Sequence, residues 1–486
     1  MKLYFHTYIY CLIIAFCFIT FFSASTSWLY HNVEYLDADF FSVIGKYWAK
    51  GNIPYVDLWD QKGPIIYFFN AVGYFVTGQR WGVYLIQIIS LTITLYYTYY
   101  FLLLEFSRKN ALFLLLAATL ALLNDYSYAG NNVEEYLLPL LTFAFYKMYK
   151  WLHNTTNDKY EHPYKYAFTY GMVFGFSFLT RMTNAIGVCG GIFIITILLL
   201  SKKQWKNLFH NILAFISGTG VIVIPFIIYF YCHGCLDEMI YGTLLYNIEY
   251  AKNAPELDPF SLNQTLYLFK SAINGITLFV ISIFILFWHK NKLRGVLWGS
   301  VAIISLMWLM SGNGFHHYFI ITYPFFCIIV NELMSLYKEN FYKAKFKRYI
   351  IFYIVLLCCA CTYETYGAYK TIKTKNTNLS FYNIVNNDLP KKDRNSFVAY
   401  NVSPYIYLYL DIKPCCRFFA YQDSQASFGN SLKEKISNEY INSSPKWILV
   451  NGDKTLIDNI LNQKYKIIKL YPNNMKLYKL KTHNKL

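Results

Sequence analysis

Long apolar runs separated by short polar turns fill the chain as far as about residue 367. A helix needs roughly 20 apolar residues to cross a hydrocarbon core about 30 Å thick, and several runs meet that length. From Leu3 to Val33 there is no Lys, Arg, Asp or Glu. Ser23-Ala24-Ser25 resembles a cleavage site, but the run is long for a signal-peptide core, so a retained first span is expected. Further spans are expected at Trp81–Glu105, Ala111–Leu123, Tyr136–Trp151, Tyr166–Thr180, Ala185–Leu200, Leu208–Tyr231, Leu268–Trp288, Val296–Met310, Tyr318–Leu336 and Tyr349–Tyr366. The pattern predicts an α-helical polytopic membrane protein with about 11 transmembrane helices.

Cations retained in short cytoplasmic loops give the orientation. With the N-terminus cytoplasmic, the inner loops carry Arg108-Lys109, then Lys147, Lys150, Lys159 and Lys165, then Lys202, Lys203 and Lys206, then Lys290, Lys292 and Arg294, then Lys338 to Arg348. The outer face receives Glu34, Asp37, Asp39, Asp57 and Asp60, then Asp125, Glu134 and Glu135, then Asp237, Glu238, Glu249, Glu256 and Asp258, then His316 and His317. Acid and imidazole chemistry is concentrated outside. An odd span number also places residues 368–486 outside, as a second domain after the membrane domain 1–367. Strand-like Ser396–Tyr400 and Trp447–Val450 alternate there with polar helical Ser431–Tyr440 and Lys454–Leu461, the pattern of a small extracytoplasmic α/β domain.

About 50 residues separate the first two long spans, too many for a simple turn. From Asp39 to Lys50, Phe40, Phe41, Val43, Ile44, Tyr47 and Trp48 alternate with Ser42, Lys46 and Lys50 at helical spacing, which predicts an amphipathic interfacial helix ended by Gly51-Asn52-Ile53-Pro54. A charged turn follows, Pro54-Tyr55-Val56-Asp57-Leu58-Trp59-Asp60-Gln61-Lys62-Gly63-Pro64, then a shorter apolar stretch, Ile65–Val76. Asp37 and Asp39 fit helix-capping acids. Acids at two places in one loop, with Lys62 among them, fit a site at the membrane face instead. Both readings stay open.

Composition sharpens this picture. Of 486 residues, 56% are hydrophobic, 20% aromatic and only 15% charged, which excludes a disordered chain and a small disulfide scaffold. The formal charge of +17 would suit nucleic acid, but the cations lie between apolar runs and no basic soluble module precedes the C-terminal part, so nucleic acid is not an expected partner. Seven of the 11 Cys lie within apolar runs. Cys232 and Cys235, and the adjacent Cys415 and Cys416, lack a second pair to complete a zinc site.

Three more polar intrusions need partners. Glu134 and Glu135 follow Gly130-Asn131-Asn132, Arg181 and Asn184 interrupt two short apolar runs, and His316 and His317 stand before Tyr318. Helix-terminal acids and interface packing are the plain alternatives. A bare Arg at that depth is costly and should face a cavity or an anion.

Asp37, Gly45, the Pro54–Pro64 turn, Gly130-Asn131 with Glu134-Glu135, Arg181-Met182-Thr183-Asn184 and His317-Tyr318 before Pro324 together resemble bacterial glycosyltransferase family 39, the protein mannosyltransferase and aminoarabinose transferase superfamily of GT-C fold. The resemblance spans roughly residues 1–370, and the Pro-Tyr-x-Asp-x-x-Asp-x-Lys-Gly-Pro stretch is its most specific part. It implies an inverting transfer of a sugar from a polyprenyl phosphate to a glycan, lipid or protein acceptor outside the bacterial cytoplasmic membrane. It further implies a loop Asp as base, Asp37 fitting better than Asp39. Lys62 falls where relatives hold the lipid phosphate. Asp57, Asp60, Arg181, Asn184, His316 and His317 become further substrate-binding candidates, and Glu134 or Glu135 would orient the acceptor or hold a divalent ion. Neither spacing proves a metal site, and no nucleotide cofactor is expected. A transporter or flippase is the main alternative, though its charges belong near mid-span rather than at outer ends; a non-catalytic lipid-binding scaffold would need no paired acids.

Overall fold

The computed structural model describes residues 2–30, 34–122, 130–154, 161–253, 316–339, 348 and 380–481. The expected spans 268–288, 296–310 and 349–366 lie outside them. The chain divides into two compact units, each assembled from separated segments: residues 1–29, 84–226 and 257–375 form one, and residues 30–83, 227–256 and 376–486 form the other.

The first unit is helical. Its described helices are α1 (Lys2–Phe22), α4 (Trp81–Leu102), α5 (Arg108–Leu122), α6 (Val133–Asn154), α7 (Tyr164–Phe178), α8 (Ile186–Ser201) and α9 (Trp205–Cys232), with Tyr323–Glu339 later in the chain. The last residues of α9 and the first of α4 belong to the other unit. Among the described residues four stretches are long and apolar enough to cross a membrane: Phe5–Phe22, Trp81–Leu102, Met182–Ser201 and Trp205–Cys232. Every expected span among the described residues is a helix, with ends moved by a few residues. Two are led in by 3-10 turns, Met182–Ala185 and His316–Thr322.

Helices α7 and α9 come close enough for backbone contact. A Cβ on Gly171 would lie 2.0 Å from the Phe215 carbonyl oxygen, and one on Gly218 would lie 2.0 Å from that of Phe168. Thr219 Oγ1 donates to the Gly171 carbonyl at 3.1 Å. Small residues permit such approach where lipid supplies no hydrophobic drive between helices.

In the second unit, α2 (Leu36–Trp48) packs on α3 (Pro64–Thr77), and the chain adds α10 (Leu236–Ile240), a π-turn at Tyr241–Leu245 and α11 (Tyr246–Asn253). Helix α2 starts three residues earlier than expected, so Asp37 and Asp39 stand in its first turn. It is also not a surface helix: every residue from Ala38 to Tyr47 is buried. One face meets α3, with Phe41 against Tyr67 at 6.0 Å, and another meets Tyr405–Leu410 of the C-terminal segment. Lys46 tolerates this burial because its ammonium reaches Asp411 at 2.6 Å.

The C-terminal segment carries a four-stranded sheet in the order β1-β2-β4-β3. Strands β1 (Phe397–Tyr400) and β2 (Trp447–Asn451) are parallel, joined through helices that include Asn430–Ser443. Strands β3 (Tyr465–Leu470) and β4 (Met475–Leu480) form an antiparallel hairpin whose β4 pairs with β2. β1 and the apolar part of β2 are wholly buried, as a parallel pair covered on both faces requires.

Candidate active site

The charged turn of the second unit is held by its own backbone. Tyr55 takes the left-handed conformation at φ 70°, which turns its N–H onto the Leu58 carbonyl at 2.7 Å. Asp57 accepts the Ile53 N–H at 2.7 Å and lies 3.4 Å from Lys413, so it serves the turn and an ion pair. Trp59 N–H donates to the Arg417 carbonyl at 2.9 Å, the Tyr55 hydroxyl donates to the Lys62 carbonyl at 2.8 Å, and Asn247 donates to the Gln61 carbonyl at 2.8 Å. One backbone N–H and two backbone carbonyls, pinned from three directions, fix where Asp60 and Lys62 stand.

Asp60 is buried and accepts the Tyr67 hydroxyl at 2.8 Å. Burial raises its carboxyl above the ordinary range, Lys62, Tyr67 and the Gln61 N–H oppose that rise, and the nearby Asp37 carboxylate adds to it. An acid whose folded pKa is raised works against folding above that pKa, and the penalty fades as pH falls through it. Tyr67→Phe removes one donor to the charged form, so the variant is expected to lose about 1.5–3 kcal/mol at pH 7, with a smaller loss near pH 4. Thermal unfolding of both proteins at the two pH values checks this; an equal loss at both would mean that Asp60 is not ionised in the folded chain.

The two candidate bases have different surroundings. Asp39 is buried, and its Oδ2 accepts the Tyr35 N–H at 2.6 Å, closing the open first turn of α2. Asp37 is half-buried, and among the described residues it makes no hydrogen bond or ion pair; its charge is felt at Asp60. Three groups of this loop, Asp37, Asp60 and Lys62, are thus electrostatically joined.

The first unit holds the other candidates. Glu134 is buried, accepts Asn184 Nδ2 at 3.2 Å, and lies 3.8 Å from Arg181 Nη1. The Arg181 guanidinium lies over the Tyr318 ring, 3.1 Å from its centroid. Arg181 Nη1, Thr183 Oγ1 and Asn184 Oδ1 are buried without a hydrogen-bond partner among the described residues, the condition of polar groups whose partner is water or a ligand.

Glu135 belongs to a different network. Its Oε1 accepts both the backbone N–H and the side-chain amide of Asn132, at 2.9 and 3.0 Å, and its Oε2 accepts Gln87 Nε2 at 2.5 Å. Asn132 immediately precedes α6 and Glu135 stands three residues on, which is a capping box. The doubled acid therefore splits into a capping Glu135 and a Glu134 turned to Arg181. His317 is half-exposed, its ring 4.5 Å from that of Tyr318; the side chain of His316 lies outside the described set. Among the described residues no group of three or more His, Cys, Asp or Glu gathers as metal ligands.

Sequence reasoning missed Tyr67, Gln87 and Tyr318 as partners of these groups. Asn-x-x-Glu at a helix start is a readable signal for Glu135. Nothing in sequence links Gln87 to an acid 48 positions later.

Residues 61–230 match the family described as dolichyl-phosphate-mannose-protein mannosyltransferase. Among solved structures, the apo form of ArnT from Cupriavidus metallidurans is similar with a TM-score of 0.55 at 13% identity, and ArnT from the same organism bound to undecaprenyl phosphate with a TM-score of 0.53 at 12% identity. Each likeness covers 96% of this chain and 96% of the other. No curated protein matches the chain. The structural likeness shows that the chain shares the membrane fold of ArnT, and the match to the mannosyltransferase family covers the segment from the charged turn into α9.

Proposed function

We propose that this chain moves a sugar from a polyprenyl-phosphate donor to an acceptor hydroxyl at the outer face of a bacterial cytoplasmic membrane, with inversion. The observation that carries the reading is Asp37, the carboxylate of the first long loop that is half-buried, close to Asp60 in charge, and not consumed by hydrogen bonding among the described residues. The solved structure of ArnT with undecaprenyl phosphate supports the class of donor.

The acceptor oxygen attacks the anomeric carbon opposite the phosphate. Its bond forms as the carbon–phosphate oxygen bond breaks, its proton passes to Asp37, and polyprenyl phosphate leaves with the bonding pair. Lys62, half-buried at the end of the pinned turn, supplies a point charge to that phosphate. Arg181, Thr183 and Asn184, each with an atom that has no hydrogen-bond partner among the described residues, bind a polar part of a substrate in their own unit. Glu134 holds Arg181 in place. The short-loop cations support a cytoplasmic N-terminus and an extracytoplasmic C-terminal domain.

The test uses the full chain purified in detergent, a panel of radiolabelled polyprenyl-phosphate sugars and membrane extract as acceptor. Wild type is expected to consume one donor class, and Lys62→Met to raise donor KM about tenfold with a smaller change in kcat, the loss of one charge-assisted contact. Absence of consumption across the panel, with substrate movement in proteoliposomes, would overturn the reading in favour of a transporter.

A further inference from the structure

Away from these groups, α7, α8 and α9 enclose a cavity of about 130 Å³ lined by Ala167, Ile192, Ile195, Leu199, Leu208 and Ile212, with His162, Tyr170 and Asn211 at one side. Its α9 wall is open to the surface: Ile212 is 48% exposed, and its neighbours Phe209 and Leu213 are 58% and 47% exposed. α9 is among the described helices long and apolar enough to span, and most of its side chains are exposed.

The polar side of the cavity is organised around His162. His162 N–H donates to Asn207 Oδ1 at 2.9 Å, while Asn207 and Asn211 each donate to the His162 carbonyl at 3.0 Å. The His162 ring meets Asn211 Oδ1 at 2.6 Å, and burial lowers its pKa to about 4, so it adds no charge at neutral pH. These bonds tie the segment before α7 to the first turns of α9 and give the cavity a floor.

Cations stand at the same end of the three helices. Lys165 is in the first turn of α7, Lys202 and Lys203 follow α8, and Lys206 is in the first turn of α9; all four are exposed. Tyr164 and Trp205 beside them are 66% and 63% exposed, as aromatic rings are at a headgroup boundary. Among the described residues the exposed acid at this end is Glu161. Leu199 precedes Lys202 by one helical turn, and Leu208 follows Lys206 by two residues, so apolar wall and cation cluster adjoin along the chain.

We infer that this end of α7–α9 is a binding site for an anionic bilayer phospholipid, with an acyl segment in the cavity and the phosphate among Lys202, Lys203 and Lys206. The juxtaposition is specific: a zwitterionic lipid would fill the cavity equally well but gain little from three lysines, whereas an anionic one uses both. The cavity admits only a short stretch of chain, which suits an ordinary acyl tail better than a long prenyl one.

The test is native mass spectrometry of the full chain in mild detergent with phosphatidylglycerol or phosphatidylcholine added. Phosphatidylglycerol is expected to survive on the protein at activation energies that strip phosphatidylcholine. Each lysine neutralised is expected to weaken retention about fivefold, so Lys202→Gln, Lys203→Gln and Lys206→Gln together weaken it about a hundredfold. Ile195→Trp, which fills the cavity, is expected to lower retention while leaving the protein monodisperse. Equal retention of the two lipids, or unchanged retention in the triple lysine variant, overturns the site. Displacement of phosphatidylglycerol by equimolar polyprenyl phosphate overturns the assignment to a bilayer lipid. None of these outcomes depends on sugar transfer.

Discussion

Asp37→Asn is expected to lower kcat for sugar transfer by a factor of about 10²–10⁴ with little change in donor KM, the loss that follows when a general base is replaced by its amide. Asp39→Asn should behave differently. The amide oxygen of Asn still accepts the Tyr35 N–H that Asp39 now holds at 2.6 Å, so this variant is expected to lose about 1 kcal/mol of stability, as weakened helix capping does, and to keep kcat within about fivefold. In sequence, the family resemblance favours Asp37 over Asp39, two positions apart, without saying what holds each of them. Structure separates them by surroundings: Asp39 is a buried strut of α2, whereas Asp37 has an open side and a charged neighbour in Asp60. Initial rates at saturating donor, with folding checked by thermal unfolding in detergent, decide the matter. Loss of turnover in Asp39→Asn with Asp37→Asn intact would reverse the assignment.

Much of the architecture was legible because its physical signals are local. Apolar length gave the helices, and Gly51 and Pro54 marked where the helix before the charged turn stops. Strands β1 and β2 were readable as short apolar runs between polar helices. The hairpin β3–β4 was also readable in principle, since its loop Pro472-Asn473-Asn474 carries two Asn, both at φ 59°, a residue type that tolerates the left-handed conformation turns need. Its lysines disguised it, because β3 is an edge strand exposed at every position after Tyr465. What could not be read was long-range. Burial of α2 depends on segments more than 350 positions away, such as Asp411 closing on Lys46. The burial of α2 on more than one face was not legible because an amphipathic pattern records which residues prefer burial, not whether other segments of the chain cover the rest. Likewise Glu134 and Glu135 are equivalent in sequence and become distinct only through Arg181 on one side and Gln87 on the other.

Gly45→Val is expected to cost more than any surface change in this loop, because a side chain has no place there. A Cβ at Gly45 would lie 2.3 Å from Asn70 Cβ and 2.8 Å from the Ala71 nitrogen and the Asn70 carbonyl carbon. Two of those three atoms belong to the α3 backbone, so no rotamer change can relieve the overlap and the two helices must separate. Overpacking of this kind costs about 1–3 kcal/mol, and more where backbone must move. The functional loss should exceed the loss of stability. Asp37 stands two turns before Gly45 on α2, while Asp60 and Lys62 lead directly into α3, so displacing one helix changes the spacing of the proposed base from the proposed phosphate cation. A shift near 1 Å is enough to cost about a hundredfold in rate. The control is Gly51→Ala, where φ is 92° and nothing lies within 4 Å. It carries backbone strain of roughly 1 kcal/mol but moves neither helix, and is expected to retain transfer. Thermal midpoints and kcat measured for both variants separate the two causes: a Gly45→Val protein that is destabilised yet transfers at the wild-type rate would show that the α2–α3 spacing does not set the chemistry, and Asp37 would lose its structural rationale.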